Sequence, residues 1–249
     1  MTATPITVDY LGLSFDRRPL DAVVAALAAA PAASCITVVT PNVDHIVRLY
    51  RRDASPALWT AYRDASLCLC DSRIVARLAR LSGLSLPAVP GSDLTARLFE
   101  RLVPGDRIAL IGGDATTVPA LQALRRGIDI VQHIPPMGLV HNPDALAAAA
   151  AFAAQAKARF VFIAVGSPQQ EFVAQRIRAT PGATGVVLCI GASIDFLTGR
   201  IARAPLWMQR AGIEWLHRLL SNPRRLWRRY LVEGPRIFAL AWRFRRQTR

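Results

Sequence analysis

"RFVFIAVGSPQQE", residues 159–171, decides how the rest of the chain is parsed. Its first seven residues form a short apolar, β-branched run that stops at Gly166, and Ser167-Pro168 then opens a helical pattern. A continuous apolar run of this length has the pattern of a strand buried on both faces. A hydroxyl residue followed by proline is a helix start, and Ser167 with Gln170 matches a capping box. The stretch therefore predicts a buried strand handing over to a helix.

The same grammar repeats along the chain. Apolar runs recur at 35–39 (CITVV), 66–70 (SLCLC), 107–111 (RIALI), 128–134 (IDIVQHI) and 185–190 (GVVLCI). Between them lie helical patterns such as VDHIVRLYRRD, RIVARLARLSG, TVPALQALRRG and PDALAAAAAFAAQAKA. Alternation of this kind predicts an α/β fold: a Rossmann-like, mostly parallel sheet with helices on both faces. Near Arg200 the composition turns arginine-rich. The expected boundary accordingly divides an α/β body, residues 1–204, from a basic, helical C-terminal appendage, residues 205–249.

The chain has 249 residues, 52% of them hydrophobic, enough for a sizeable core. Its formal charge of +14 is unevenly spread: from Arg200 onward thirteen arginines face only Glu214 and Glu233, so that segment carries +11 and the rest +3. Such a basic end fits an acidic partner, either nucleic acid or phospholipid. The start, MTATPITVDYLGLSFD, has no basic n-region and meets Asp9 and Asp16 early, so a cytoplasmic protein without a signal peptide is expected. The alanine-rich run 145–156 is too short and too mildly apolar to span a bilayer, so any membrane contact is peripheral. Cys35, Cys68, Cys70 and Cys189 lack zinc-site spacing, and His45, His133, His141 and His217 are scattered. No bound structural metal and no cofactor are expected.

In parallel sheets ligands sit at the carboxyl ends of the strands, so the strand-to-helix junctions carry the functional signal. Four stand out: Thr40-Pro41-Asn42, Asp71-Ser72-Arg73, Gly112-Gly113-Asp114, and Gly166-Ser167-Pro168-Gln169-Gln170-Glu171. Each has a purely structural reading, with Thr40, Asp71, Asp114 or Ser167 capping a helix. Together they offer amide donors and helix N-termini suited to phosphate, and in Asp71 a proton acceptor. A nucleotide-linked substrate fits that set. The Gly112-Gly113 pair is not the GxGxxG fingerprint of a dinucleotide enzyme.

The last residues, SNPRRLWRRYLVEGPRIFALAWRFRRQTR, thread aromatic residues through nine arginines. At about 100° per residue, Leu226, Trp227, Tyr230 and Leu231 share one arc and Arg224, Arg225, Arg228 and Arg229 the opposite one. Asn222-Pro223 predicts a helix start and Gly234-Pro235 a break, giving two short helices. A solvated basic face, a nucleic-acid arm and an interfacial helix on anionic lipid all fit this pattern.

The segments TPNVDHIV, DSRIVARLARLSG, VPGSDL, ALIGG, GSPQQE, GASIDFLTGRIARAP and GIEWLHRLLSNPRRLWRRYL occur in an order and spacing that resembles the WecG/TagA/CpsF glycosyltransferases, over roughly residues 5–233. The most specific part runs from Gly191 to Leu231. The resemblance implies an inverting bacterial enzyme that moves a sugar, N-acetylmannosamine or a related hexose such as glucose, from a UDP-sugar to an undecaprenyl-diphosphate-linked sugar in cell-surface polysaccharide synthesis. It implies Asp71 as catalytic base with Thr40 and Asn42 beside it. Gln170 and Asp195 fall at the nucleotide side, with Gly112, Gly113 and Gly166 letting backbone approach the donor. Arg224, Arg225, Arg228 and Arg229 would contact the lipid or its diphosphate at the cytoplasmic face of the inner membrane, and no nucleic-acid partner is implied. Three positions depart from the family pattern: Ser72 and Ile74 replace glycines after the aspartate, and Ala88 replaces an arginine. The alternatives are a basic nucleic-acid-binding protein without enzymatic activity, favoured by the arginine and aromatic interleaving, and a nucleotide-dependent enzyme of another class.

Overall fold

The computed structural model describes residues 6–248. Eight strands are present among them: β1 (Thr7–Tyr10), β2 (Leu13–Asp16), β3 (Cys35–Val39), β4 (Leu67–Cys68), β5 (Arg107–Gly112), β6 (Asp129–His133), β7 (Phe160–Ala164) and β8 (Gly185–Cys189). The six apolar runs become β3 to β8, one all-parallel sheet in the order β4-β3-β8-β7-β5-β6. The run expected at 66–70 yields only two strand residues, because beyond them the Cys70 carbonyl turns to accept from the Val89 amide at 2.7 Å.

Both faces of the sheet are covered, as the unbroken apolar runs require. Ile108, Leu110, Phe160, Phe162, Val186 and Leu188 face one layer, where the helices Leu20–Ala28 and Gly91–Phe99 pack. Their alternates Ala109, Ile111, Val161, Ile163, Val187 and Cys189 face the other layer, against Val43–Leu49, Pro143–Ala156 and Gln169–Arg178. The antiparallel hairpin β1–β2 stands outside the sheet and was not evident in the sequence. It inserts the fully buried Tyr10, Leu13 and Phe15 into the second layer.

The connections fix where a ligand cleft can form. From β7 the chain crosses to β8 on one side, and from β5 to β6 on the other, so the winding reverses between β7 and β5. Register holds the strand ends level there, with Gly112 opposite Ala164 and Ile163 opposite Cys189. A crevice at the carboxyl edge follows from that reversal.

After β8 the chain is helical: Ser193–Leu197, Leu206–Ala211, Glu214–Ser221, Pro223–Trp227 continuing as a π-helix Arg228–Glu233, then Arg236–Gln247. The break at Gly234-Pro235 lies where the sequence places it. Two details differ from the sequence-based expectation. Asn222 precedes the Pro223 helix but makes no side-chain cap hydrogen bond. The helix also continues past Trp227 as a π-segment rather than an α-helix, closed by the Gly234 amide on the Arg229 carbonyl at 2.8 Å. Arg229, three residues after the buried Leu226, faces inward and pairs with Asp44 at 3.3 Å, while Trp227 and Leu231 stand exposed. The final helix packs on the body through Ile237 and Ala241, and Phe244 meets Tyr10 edge-on at 4.9 Å. Among the described residues no helix is long and apolar enough to cross a membrane.

Candidate functional site

Thr40, Asn42 and Asp71 come together at the carboxyl ends of β3 and β4. Asn42, not Thr40, is the N-cap of Val43–Leu49: its Oδ1 accepts from the Asp44 amide at 3.1 Å and the His45 amide at 3.3 Å. That orientation leaves Nδ2 free to donate to Asp71 Oδ2 at 3.3 Å. The other carboxylate oxygen accepts from the Gly91 amide at 2.7 Å. Gly91 is the first residue of Gly91–Phe99, so Asp71 sits at a helix N-terminus without capping its own helix. Ser72 does that instead, accepting from the Val75 amide at 3.3 Å. Thr40 Oγ1 donates to the Cys189 carbonyl at 3.3 Å and ties β3 to β8.

Asp71 is partly buried in this recess, and the loss of water raises its carboxyl from the ordinary range to about 6. Hydrogen bonds from Gly91 and Asn42 pull the other way, and among the charges Glu214 raises it and Arg218 lowers it. Burial outweighs the donors. A carboxylate so poised is ionised near neutral pH and still basic enough to take a proton.

Two residues that bear on Asp71, Glu214 and Arg218, went unremarked as site residues in the sequence. They lie four apart on Glu214–Ser221, on one helical face, two residues after the left-handed Gly212. Spacing of that kind was the available signal. Arg77 fixes the preceding helix, Leu206–Ala211, to the body, donating Nη1 to the Ala211 carbonyl at 2.7 Å and Nη2 to the Arg210 carbonyl at 3.1 Å.

Gly112 and Gly113 flank the crevice with φ of 103° and 73°. A Cβ on Gly112 would lie 2.9 Å from the Ala164 backbone, so only glycine allows β5 and β7 to end this close. Asp114 follows, with Arg200 donating to its two carboxylate oxygens at 2.7 and 3.0 Å, which holds its carboxyl well below the usual range. Arg200 also lies 3.9 Å from Asp195, so it joins two junctions the sequence left separate. Beside Gly166 there is open space on the side where a Cβ would project.

Gln170 differs from expectation. It is almost fully buried, with Oε1 accepting from the Gly191 amide at 2.8 Å and Nε2 donating to Glu171 at 2.9 Å. Its carboxamide thus faces inward and does not present itself to the crevice. The capping box is also absent: the helix begins without a side-chain cap, and Ser167 Oγ accepts from Arg48 at 3.2 Å. Among the described residues no hydrogen bond or ion pair joins Arg224, Arg225 or Arg228 to the Asp71 cluster. These three are exposed, whereas Arg229 belongs to the interface with Asp44 and Arg48.

The arrangement offers one basic carboxylate, main-chain amides at two glycine junctions, and a helix from the tail carrying an acid and a base. It can accept a proton from a hydroxyl and hold an anionic leaving group. Residues 8–249 match the family model described as "Glycosyl transferase WecG/TagA/CpsF family".

Proposed function

Since this chain belongs to the WecG/TagA/CpsF glycosyltransferase family, we propose that it is an inverting enzyme that transfers a hexose or N-acetylhexosamine from a UDP-sugar to a sugar on a membrane lipid diphosphate, undecaprenyl diphosphate, in cell-surface polysaccharide synthesis. The observation that carries the reading is the Asp71 carboxyl, oriented by Gly91 and Asn42 and pushed up to about 6 by burial. In this scheme the acceptor hydroxyl loses its proton to Asp71 as its oxygen bonds to the anomeric carbon. The bond from that carbon to the donor diphosphate breaks with both electrons, and UDP leaves with inversion.

The Gly112-Gly113 and Gly166 junctions suit the donor diphosphate, because amides turned toward an anion stabilise charge without reorganising. With Ala88 uncharged, Arg218 is the cation whose field reaches the Asp71 recess. On this reading the tail is a peripheral membrane element at the cytoplasmic face, supported by exposed Leu206, Trp207, Trp227, Leu231, Phe238 and Trp242 beside exposed arginines. The test is a screen of UDP-sugars for UDP release, with and without a lipid-diphosphate-linked sugar. Release that depends on acceptor supports the proposal. Purified enzyme that binds no UDP and hydrolyses or transfers no nucleotide sugar overturns it.

A further inference from the structure

Gln170 and Glu171 are consecutive and both almost fully buried, at 2% and 1% exposure, in a helix whose neighbouring inward residues Val173, Ala174 and Ile177 are apolar. A buried carboxylate is costly unless its oxygens are satisfied. Glu171 Oε1 accepts from Tyr62 Oη at 2.9 Å and from Gln170 Nε2 at 2.9 Å. Its Oε2 is buried without a partner, and so is Nδ1 of His45. An apolar trio at these positions would pack with no orphaned atoms, so stability does not explain the cluster.

A carboxamide can present either end to a neighbour, and the neighbours decide which. Glu171 Oε1 acts as an acceptor here, so beside it the Nε2 end of Gln170 turns toward it. That leaves Oε1 to accept from Gly191, which it does at 2.8 Å. Gly191 opens the turn from β8 into Ser193–Leu197, the short helix that carries Asp195. Tyr62, from Pro56–Arg63, anchors the carboxylate from the other side.

We propose that Glu171 is a positioning residue of the donor site: by fixing which way the Gln170 carboxamide points, it sets the Gly191 amide and the turn that presents Asp195. This rests on the reading of Gly112, Gly113, Gly166 and Asp195 as the donor side. Tyr62 holds Glu171 in place, and neither residue touches substrate.

The experiment compares Glu171→Met, similar in volume but without an acceptor oxygen, with Glu171→Gln, which keeps one. Steady-state kinetics with the active UDP-sugar and calorimetric UDP binding are the readouts. Glu171→Met is expected to raise the donor KM and the UDP Kd about tenfold, the size of one lost hydrogen bond, with kcat changed far less. Glu171→Gln should stay within about threefold of wild type, since its carbonyl can still accept from Gln170 and Tyr62. A merely structural role would instead lower kcat with the folded fraction and leave KM unchanged, and that result overturns the inference. So does a Glu171→Gln enzyme as impaired in KM as Glu171→Met.

If Glu171→Met fails to fold, the double variant Glu171→Gln with Tyr62→Phe carries the test. Its carboxamide has lost the tyrosine anchor and can flip, so UDP should bind more weakly than in either single variant, and affinity equal to wild type overturns the proposal. Gln170→Leu separates the two readings. If it weakens UDP binding and Glu171→Met does not, the positioning role falls and the donor site stands. If wild type itself binds no UDP, the donor-site reading falls.

Discussion

The amide of Gly91 donates to Oδ1 of Asp71 at 2.7 Å, joining the turn beyond one strand to the first turn of a helix twenty positions further on. The approach is close because Gly91 has no side chain: a Cβ there would stand 3.0 Å from Thr40 Oγ1 and 3.7 Å from Asp71 Oδ1. With Oδ1 held by the amide and Oδ2 by Asn42, the carboxylate has one orientation. Asp71→Asn is then a chemical test with little change in volume. Its carbonyl can keep the Gly91 bond, but its amide would face the Asn42 amide. Transfer is expected to fall by about 10² to 10⁴, the range for removing a general base, while UDP affinity stays near wild type. A variant with near-normal turnover at saturating acceptor would remove Asp71 from that role.

The raised carboxyl also predicts a pH dependence. Asp71 must be ionised to accept a proton, so kcat/KM should be high above about 6 and fall on the acid side with an apparent pKa near that value. For stability the sign is opposite. The folded state binds this proton more tightly than the unfolded chain, so Asp71 favours folding at low pH. That contribution fades as pH rises from the ordinary aspartate range through about 6. The melting temperature of wild type minus that of Asp71→Asn should therefore decline between about pH 4 and 7. A flat difference would mean that the recess does not perturb this carboxyl.

Arg77 connects the body to Leu206–Ala211, the helix just before the one bearing Glu214 and Arg218, through two main-chain carbonyls, a fork that lysine cannot reproduce. Arg77→Met should loosen residues 206–221 without touching the donor side. The expected outcome is faster proteolytic cleavage in that segment and a drop of about tenfold in kcat/KM for the acceptor, with UDP Kd unchanged. Equal losses on both substrates would point to a global defect instead.

The parallel sheet was legible because its strands are buried on both faces, so each reads as an unbroken apolar run between helical patterns. The hairpin Thr7–Tyr10 and Leu13–Asp16 was not, because four-residue strands give too little alternation to separate them from a loop. At the site, Asp71 and the glycine junctions could be found from their places after strands. What they bond to could not: the Gly91 amide lies twenty residues away, and Glu214 and Arg218 reach Asp71 only through the fold-back of the tail. Gln170 shows the limit most sharply, since a polar residue at a junction predicts an outward contact and its burial depends on Glu171 and Gly191 together. The inward position of Arg229 was hidden for another reason: it lies three after Leu226, and which of the four residues of the apolar arc would be buried depends on where the helix docks.

The tail supplies the last prediction. Trp227, Leu231, Phe238 and Trp242 are 47%, 54%, 56% and 59% exposed, an unusual amount of large apolar surface in a tail that also exposes Arg224, Arg225 and Arg228. Rings that seek the headgroup boundary and arginines that seek its phosphates together favour an anionic bilayer surface over bulk water. Each arginine near such a surface contributes about 1 kcal/mol, so replacing these three with glutamine should weaken liposome binding by about 3 kcal/mol, roughly a hundredfold. The difference should narrow as salt is raised, because screening shortens the reach of the charges. Arg229 is left intact because it pairs with Asp44, and changing it would confuse membrane affinity with docking of the tail. Because the three side chains point outward, the melting temperature should hold, and transfer to a soluble short-chain acceptor should continue while transfer to a liposome-embedded one declines. A triple variant that sediments with anionic liposomes like wild type would remove these arginines from membrane binding, and leave the aromatic face as the surface to test next.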